Sequence, residues 1–143
     1  KGIDFGETSG KQQMCFLNIE DMWGNLRWFI DGLFSDANRN MLTAFTGFND
    51  TGSGYTNRGQ GATSDIGNYM SKPQGTTETG FIAKEVSGSA TTHFTDAAFL
   101  YASCLPYFGG GWGYGDYAGV FYLGVDRAAD TSYSYYGARL MYL

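Results

Sequence analysis

Charge is scarce in this chain: Asp, Glu, Lys and Arg make up 16% of its 143 residues, against roughly a quarter in typical domains. The balance is acidic, with a formal net charge of -5. That leaves no basic footprint for nucleic acid or for an anionic membrane surface. An aromatic row can stack single-stranded nucleic acid, but without a basic groove such binding is hard to stabilise. No apolar run approaches the roughly 18 residues of a membrane-spanning helix, so membrane insertion is not expected. The opening Lys1-Gly2-Ile3-Asp4 has neither an initiator Met nor a signal peptide and reads as part of something longer.

Groups that carry chemistry are equally few. The single histidine, His93, sits in Thr91-Thr92-His93-Phe94 beside apolar neighbours and outside any catalytic motif, so a structural role is expected. Cys15 and Cys104 are too few for a disulfide framework and lack zinc-ligand spacing; two buried free thiols and one long-range bridge both fit. Asp36-Ala37-Asn38-Arg39-Asn40 opens like an EF-hand loop, yet Met41 stands where glycine is needed and Gly47 where the closing glutamate belongs. Asn49, Asp50 and Asp65 read as solvated loop positions. Gly52-Ser53-Gly54 and Gly59-Gln60-Gly61 are followed by no Gly-Lys-Ser/Thr, so they read as turns and not as phosphate cradles. No catalytic residue, metal site or cofactor is assigned.

What the chain does have is glycine, 22 residues, and aromatics at 17%. That aromatic content excludes intrinsic disorder, and the length suits one domain spanning 1–143. Met14-Cys15-Phe16-Leu17 suits a strand. Ile19, Met22, Trp23, Leu26, Phe29, Ile30 and Leu33 recur at helical spacing, with Asn18 placed to cap the start and Gly32 near the end, which predicts a helix in which Gly24 marks either a bend or close contact with a neighbouring backbone. Beyond it, Met41–Phe45, Gly80–Ala83 and Ala97–Tyr101 are strand-length apolar runs. The glycine-rich stretch from Asn49 to Gly80 reads as a functional long loop or as short elements without a clear signature. Ala138–Leu143 resembles a buried terminal strand. No long repeat is present, and one helix with many short strands predicts an α+β domain.

Residues 107–137 carry the most information. Trp112, Ala118, Gly119, Phe121, Leu123 and Gly137-Ala138-Arg139-Leu140 read as scaffold. Gly113, Tyr114, Asp116, Tyr117, Asp126, Asp130, Tyr133, Tyr135 and Tyr136 read as display, and Gly111 joins them at the start of the segment. Tyr, Asp, Gly and Ser dominate antibody combining sites because tyrosine gives a large rigid contact at low entropy cost while glycine and serine adapt. A plain set of Tyr-rich strand edges and turns has the same composition.

Gly109-Gly110-Gly111-Trp112, the later Ala118-Gly119 with Phe121, and the close from Ser132 to Leu140 together resemble the C-terminal variable region of proteins targeted by diversity-generating retroelements. Ile19–Asn25 with Phe29-Ile30-Asp31-Gly32 is similar to the helix region of such domains, notably in phage proteins from gut communities. The middle of the chain matches no motif. The resemblance implies a C-type-lectin-like fold related to formylglycine-generating enzyme, with a variable region at about 107–136. It also implies ligand binding at Gly111, Gly113, Tyr114, Asp116, Tyr117, Asp126, Asp130, Tyr133, Tyr135 and Tyr136. The partner implied is a host cell-surface protein or glycan, met at a virion surface or otherwise outside the cell, with a homo-oligomer left open. Formylglycine-generating enzyme works through cysteines, whereas Cys104 has no second cysteine nearby, so no enzymatic activity is expected. The calcium-dependent sugar triplets Glu-Pro-Asn and Gln-Pro-Asp are absent. The alternative is a virion structural or oligomerisation domain whose aromatic patch is a subunit interface. On the binding reading, exchanging Tyr114, Tyr117, Tyr133, Tyr135 and Tyr136 changes ligand choice and leaves the fold intact.

Overall fold

The computed structural model describes residues 3–8, 11–16, 19–20, 22–77, 80–92 and 96–137, with side chains from residue 22 onward. Fourteen short strands build four sheets, and the only helical element among the described residues is a 3-10 turn at Gly115–Tyr117. The domain is β-rich, which corrects the α+β expectation. None of the described helical residues forms a helix long and apolar enough to cross a membrane.

The predicted helix is replaced by β3 (Ile19–Glu20), β4 (Arg27–Phe29) and β5 (Leu33–Ser35). Gly24 and Gly32 both have φ of 82°, in the left-handed region where glycine alone is comfortable and a right-handed helix cannot continue. The amides between them are taken by distant partners: Gly24 N donates to Gly109 O, Arg27 N to Tyr135 O and Ile30 N to Pro106 O. Each backbone donor needs an acceptor, and here the sheet supplies it in place of the carbonyl four residues back.

β1 (Ile3–Thr8) and β2 (Lys11–Phe16) form an antiparallel hairpin that β3 extends. β5 pairs with β6 (Asn40–Thr43), and β6 with β7 (Thr56–Gln60). β9 (Lys72–Thr76) and β10 (Gly80–Glu85) make a further hairpin. The Asn49 to Gly80 stretch thus holds β7, β9 and, between them, β8 (Ile66–Tyr69). The remainder of its first part is a tight turn in which the Asn49 side chain caps Thr51 and Ser53 while Tyr55 Oη donates to Asn49 O. The terminal strand read at 138–143 and His93 lie outside the described residues.

The central sheet has six strands, ordered β14 (Tyr136–Gly137), β4, β12 (Leu105–Phe108), β13 (Leu123–Arg127), β11 (Ala97–Leu100) and β8. Alternation on β11 sorts its side chains to two faces. Leu100 packs with Met41, Ala62 and Ile82, and Ala98 with Met70 and Ala83. Ala97 and Phe99 turn instead toward Tyr107 and Tyr122. That second face is an aromatic layer, and glycines make room for it. Phe99 lies opposite Gly67, and Tyr107 opposite Gly124. A Cβ at either glycine would run into the facing ring.

Gly124→Ala therefore forces the buried Tyr107 ring to move and is expected to cost about 1–3 kcal/mol. A Cβ at Gly113 would meet nothing, so Gly113→Ala is expected to stay within about 0.5 kcal/mol. Urea denaturation of the two variants beside the parent chain measures both.

Candidate functional site

The loop 109–122 packs over the aromatic face of the central sheet through Tyr114, Tyr117 and Tyr122, and residues 128–135 lead from β13 to β14. Gly109 and Gly110, with φ of 88° and 68°, turn the chain sharply out of β12. A Cβ at Gly110 would meet Ala118 at 2.8 Å, so the loop returns on itself in close contact. Successive short turns follow, with Tyr114 N donating to Gly111 O, Tyr117 N to Tyr114 O and Tyr122 N to Gly119 O. Two anchors hold the loop down. Trp112 N donates to Asn25 O at 2.9 Å, and the buried Asp96 carboxylate accepts from Phe121 N at 2.7 Å. Gly119 faces that carboxylate so closely that no Cβ fits.

At the centre lies Arg27, 1% exposed. Its Cζ stands 4.2 Å from the ring centre of Tyr114, 4.6 Å from Tyr135, 5.1 Å from Tyr107 and 5.3 Å from Tyr136. Nη1 donates to Tyr136 Oη at 2.8 Å. Each ring face contributes about 0.5–2 kcal/mol to holding a cation. Burial works against the charge, but Tyr107, the hydrogen bond that Arg27 donates to Tyr136, and the Tyr122 and Tyr114 phenols keep the guanidinium pKa above its ordinary value. No carboxylate among the described residues pairs with it, and Nε is buried without a hydrogen-bond partner.

Around this cation the aromatic rings are continuous. Tyr133 stacks on Tyr135 at 5.2 Å and 10°, Tyr136 on Phe29 at 4.9 Å and 16°, and Tyr136 meets Tyr107 edge-on at 5.3 Å. At the other end Tyr114 meets Tyr122 edge-on, and Tyr117 stacks on Tyr69 of β8 at 4.4 Å. The layer thus runs across the sheet from β14 to β8, its two edge strands.

Of the residues read as display, Gly113, Asp116, Asp130 and Tyr133 are exposed, and Tyr114, Tyr117, Tyr135 and Tyr136 are half-buried. Gly111 is buried against Arg27. The Asp126 side chain is 6% exposed; it accepts from Tyr107 Oη at 2.5 Å and pairs with Arg127 Nη1 at 2.8 Å. Its carboxylate is an interior anchor, which corrects its placement on the display face. Burial first, then Tyr122 and Asp126, drives the Tyr107 phenol pKa far above its ordinary value. Trp112 and Phe121, read as scaffold, are 69% and 51% exposed: both lie on the loop's outer side, and at each it is the backbone that is anchored.

A cavity of about 180 Å³ opens between Arg27, Gly111, Trp112, Gly113, Tyr114 and Tyr135. A larger apolar groove of about 510 Å³ runs by Phe45, Phe48, Phe81, Val120 and Phe121. Cys104 is a free thiol, so the bridge reading does not hold for it. Burial, with Asp126 and Asp65 adding to it, pushes its pKa up to about 11, the opposite of an activated nucleophile. Among the described residues no group of His, Cys, Asp and Glu is placed to hold a metal.

Sequence reasoning missed Arg27, whose one signal is a lone charge inside the apolar run Leu26-Arg27-Trp28-Phe29. It also missed Asp96 and the groove, whose phenylalanines come from separate segments at 45–48, 81, 108 and 121. No protein-family model, curated protein or solved structure matches this chain.

The five tyrosines are consequently unequal. Tyr133→Ser at a 54% exposed position loses a surface ring stack on Tyr135 and is expected to cost about 1 kcal/mol or less. Tyr136→Ala removes a ring stack and the bond to Arg27 and is expected to cost about 2 kcal/mol or more. Thermal melts followed by near-ultraviolet circular dichroism separate the two outcomes.

Proposed function

We propose that this chain is a ligand-binding domain of the kind diversified by retroelements, on a C-type-lectin-like scaffold, with residues 111–136 as the binding surface. The observation that carries the reading is the division of labour in that segment. Its backbone is tied to Asn25 and Asp96, while Trp112, Gly113, Asp116, Asp130 and Tyr133 project outward and bear little of the packing. Such positions accept change at low cost to the fold, which a surface altered from copy to copy requires. Tyrosine and tryptophan supply the anchors that carry most binding energy at interfaces. The partner is a host-cell surface protein or glycan, met at a virion surface, where many tethered copies multiply a weak single contact. The role in this reading is binding without catalysis.

The apolar groove favours a second reading. Phe45, Phe48, Phe81, Val120 and Phe121 are 45–78% exposed around it, and a patch of that kind marks an interface between subunits as readily as a ligand site. Light scattering over a concentration series separates the two. An oligomer that dissociates in a Phe45→Ser, Phe121→Ser double variant assigns the groove to self-association; a monomer at all concentrations removes that reading.

The principal test is to sequence the DNA flanking the gene. The expected result is a near-duplicate of the codons for residues 107–136 beside a reverse transcriptase, differing almost only at adenines, with the differences falling on exposed positions such as Asp116, Asp130 and Tyr133. Absence of such a copy, or differences concentrated on Tyr107 and Tyr122, overturns the reading.

A further inference from the structure

We propose that the cavity above Arg27 binds a single carboxylate of the ligand, with Trp112, Tyr114 and Tyr135 clasping the body that carries it. The proposal rests on the reading of residues 111–136 as a binding surface and names the chemistry that surface selects.

Arg27 is a buried guanidinium with no counter-carboxylate among the described residues, held by ring faces and one phenol oxygen. A buried cation without an anion is costly, and ring faces offset only part of that cost. Its Nε lacks an acceptor, while Arg27 itself lines the cavity of about 180 Å³. Beside it, Gly111 contributes no side chain: a Cβ there would stand 3.6 Å from Arg27 Nε. No side chain at position 111 therefore stands between Nε and the cavity. A guanidinium fork matches a planar carboxylate through two parallel hydrogen bonds. A net charge of -5 disfavours polyanions such as nucleic acid or phosphate-rich polymers. The walls are amphipathic rings that stack on flat or ring-shaped bodies.

The arrangement also divides recognition between two sources. Arg27 lies on β4, outside the segment 107–136, whereas Gly111, Trp112, Gly113, Tyr114 and Tyr135 lie within it. Tyr114 and Tyr135 also hold Arg27, whereas Trp112 and Gly113 are exposed and free to change: the carboxylate is common to the ligands, and the outer walls choose the body.

Benzoate and its neutral near-isostere benzamide test this directly, titrated into the chain while the Trp112 indole N–H is followed by nitrogen-proton correlation spectra. Benzoate is expected to shift that signal saturably, and benzamide to bind at least about tenfold more weakly. Inorganic sulfate at equal concentration is expected not to displace benzoate. Gly111→Ala makes only ordinary contacts, at 3.6 Å and beyond, so its melting temperature should match the parent chain while benzoate affinity falls at least about tenfold. Equal binding of benzoate and benzamide, displacement by sulfate, no saturable shift, or an unaffected Gly111→Ala variant each overturns the proposal. Failure of these titrations, with Tyr133→Ser still altering attachment to cells, removes the carboxylate and keeps the binding domain. Benzoate binding with attachment indifferent to Tyr133→Ser keeps the pocket and removes that wider reading.

Discussion

A guanidinium buried among tyrosines is the constraint on which the candidate site depends. Arg27 stands on β4 between β12 and β14, and its charge cannot be left bare in the interior. The rings that surround it come from β12 (Tyr107), from the loop after β12 (Tyr114) and from the chain entering β14 (Tyr135, Tyr136). Stretches at 27, 107–114 and 135–136, distant in sequence, are thereby drawn to one point. Ladder bonds make the same connection through the backbone, since Arg27 N donates to Tyr135 O and Arg27 lies in register with Tyr136.

From that point outward the packing loosens in a definite order. Tyr107 and Tyr122 are almost fully buried, and their hydroxyls approach each other at 3.3 Å beside Asp126. Tyr114, Tyr117, Tyr135 and Tyr136 form a half-buried middle layer, and Trp112 and Tyr133 stand outside it. The gradient explains how one composition, rich in Tyr and Gly, serves both as core and as surface. Glycines at 67 and 124 accept the inner rings, and backbone anchors at Asn25 and Asp96 fix the loop so that its outer side chains carry no structural duty.

Much of the strand content was legible because apolar runs bounded by turn residues are read locally: β6, β10 and β11 fall on runs visible at Met41, Phe81 and Ala97. The helix over residues 19–33 was misread because its apolar spacing fits a helical face, while two glycines and long-range amide partners decide the outcome. The boundary of the site was legible in the Gly109–Trp112 turn and the Tyr-rich run after it. Its interior was not. Arg27 is more than a hundred residues from Tyr136, and no local pattern announces that pairing. Asp126 looked like Asp116 and Asp130 in sequence, yet it belongs to β13 and turns toward Tyr107.

A display library of this chain, randomised one codon at a time over Arg27 and residues 107–136 and selected for protease resistance, tests the central claim most directly. The account predicts that Arg27, Tyr107, Gly119, Tyr122 and Gly124 tolerate almost no exchange. Trp112, Gly113, Asp116, Asp130 and Tyr133 should accept nearly every residue. Free replacement of Arg27, or equal intolerance at the inner and outer tyrosines, would contradict a variable surface resting on a buried cation.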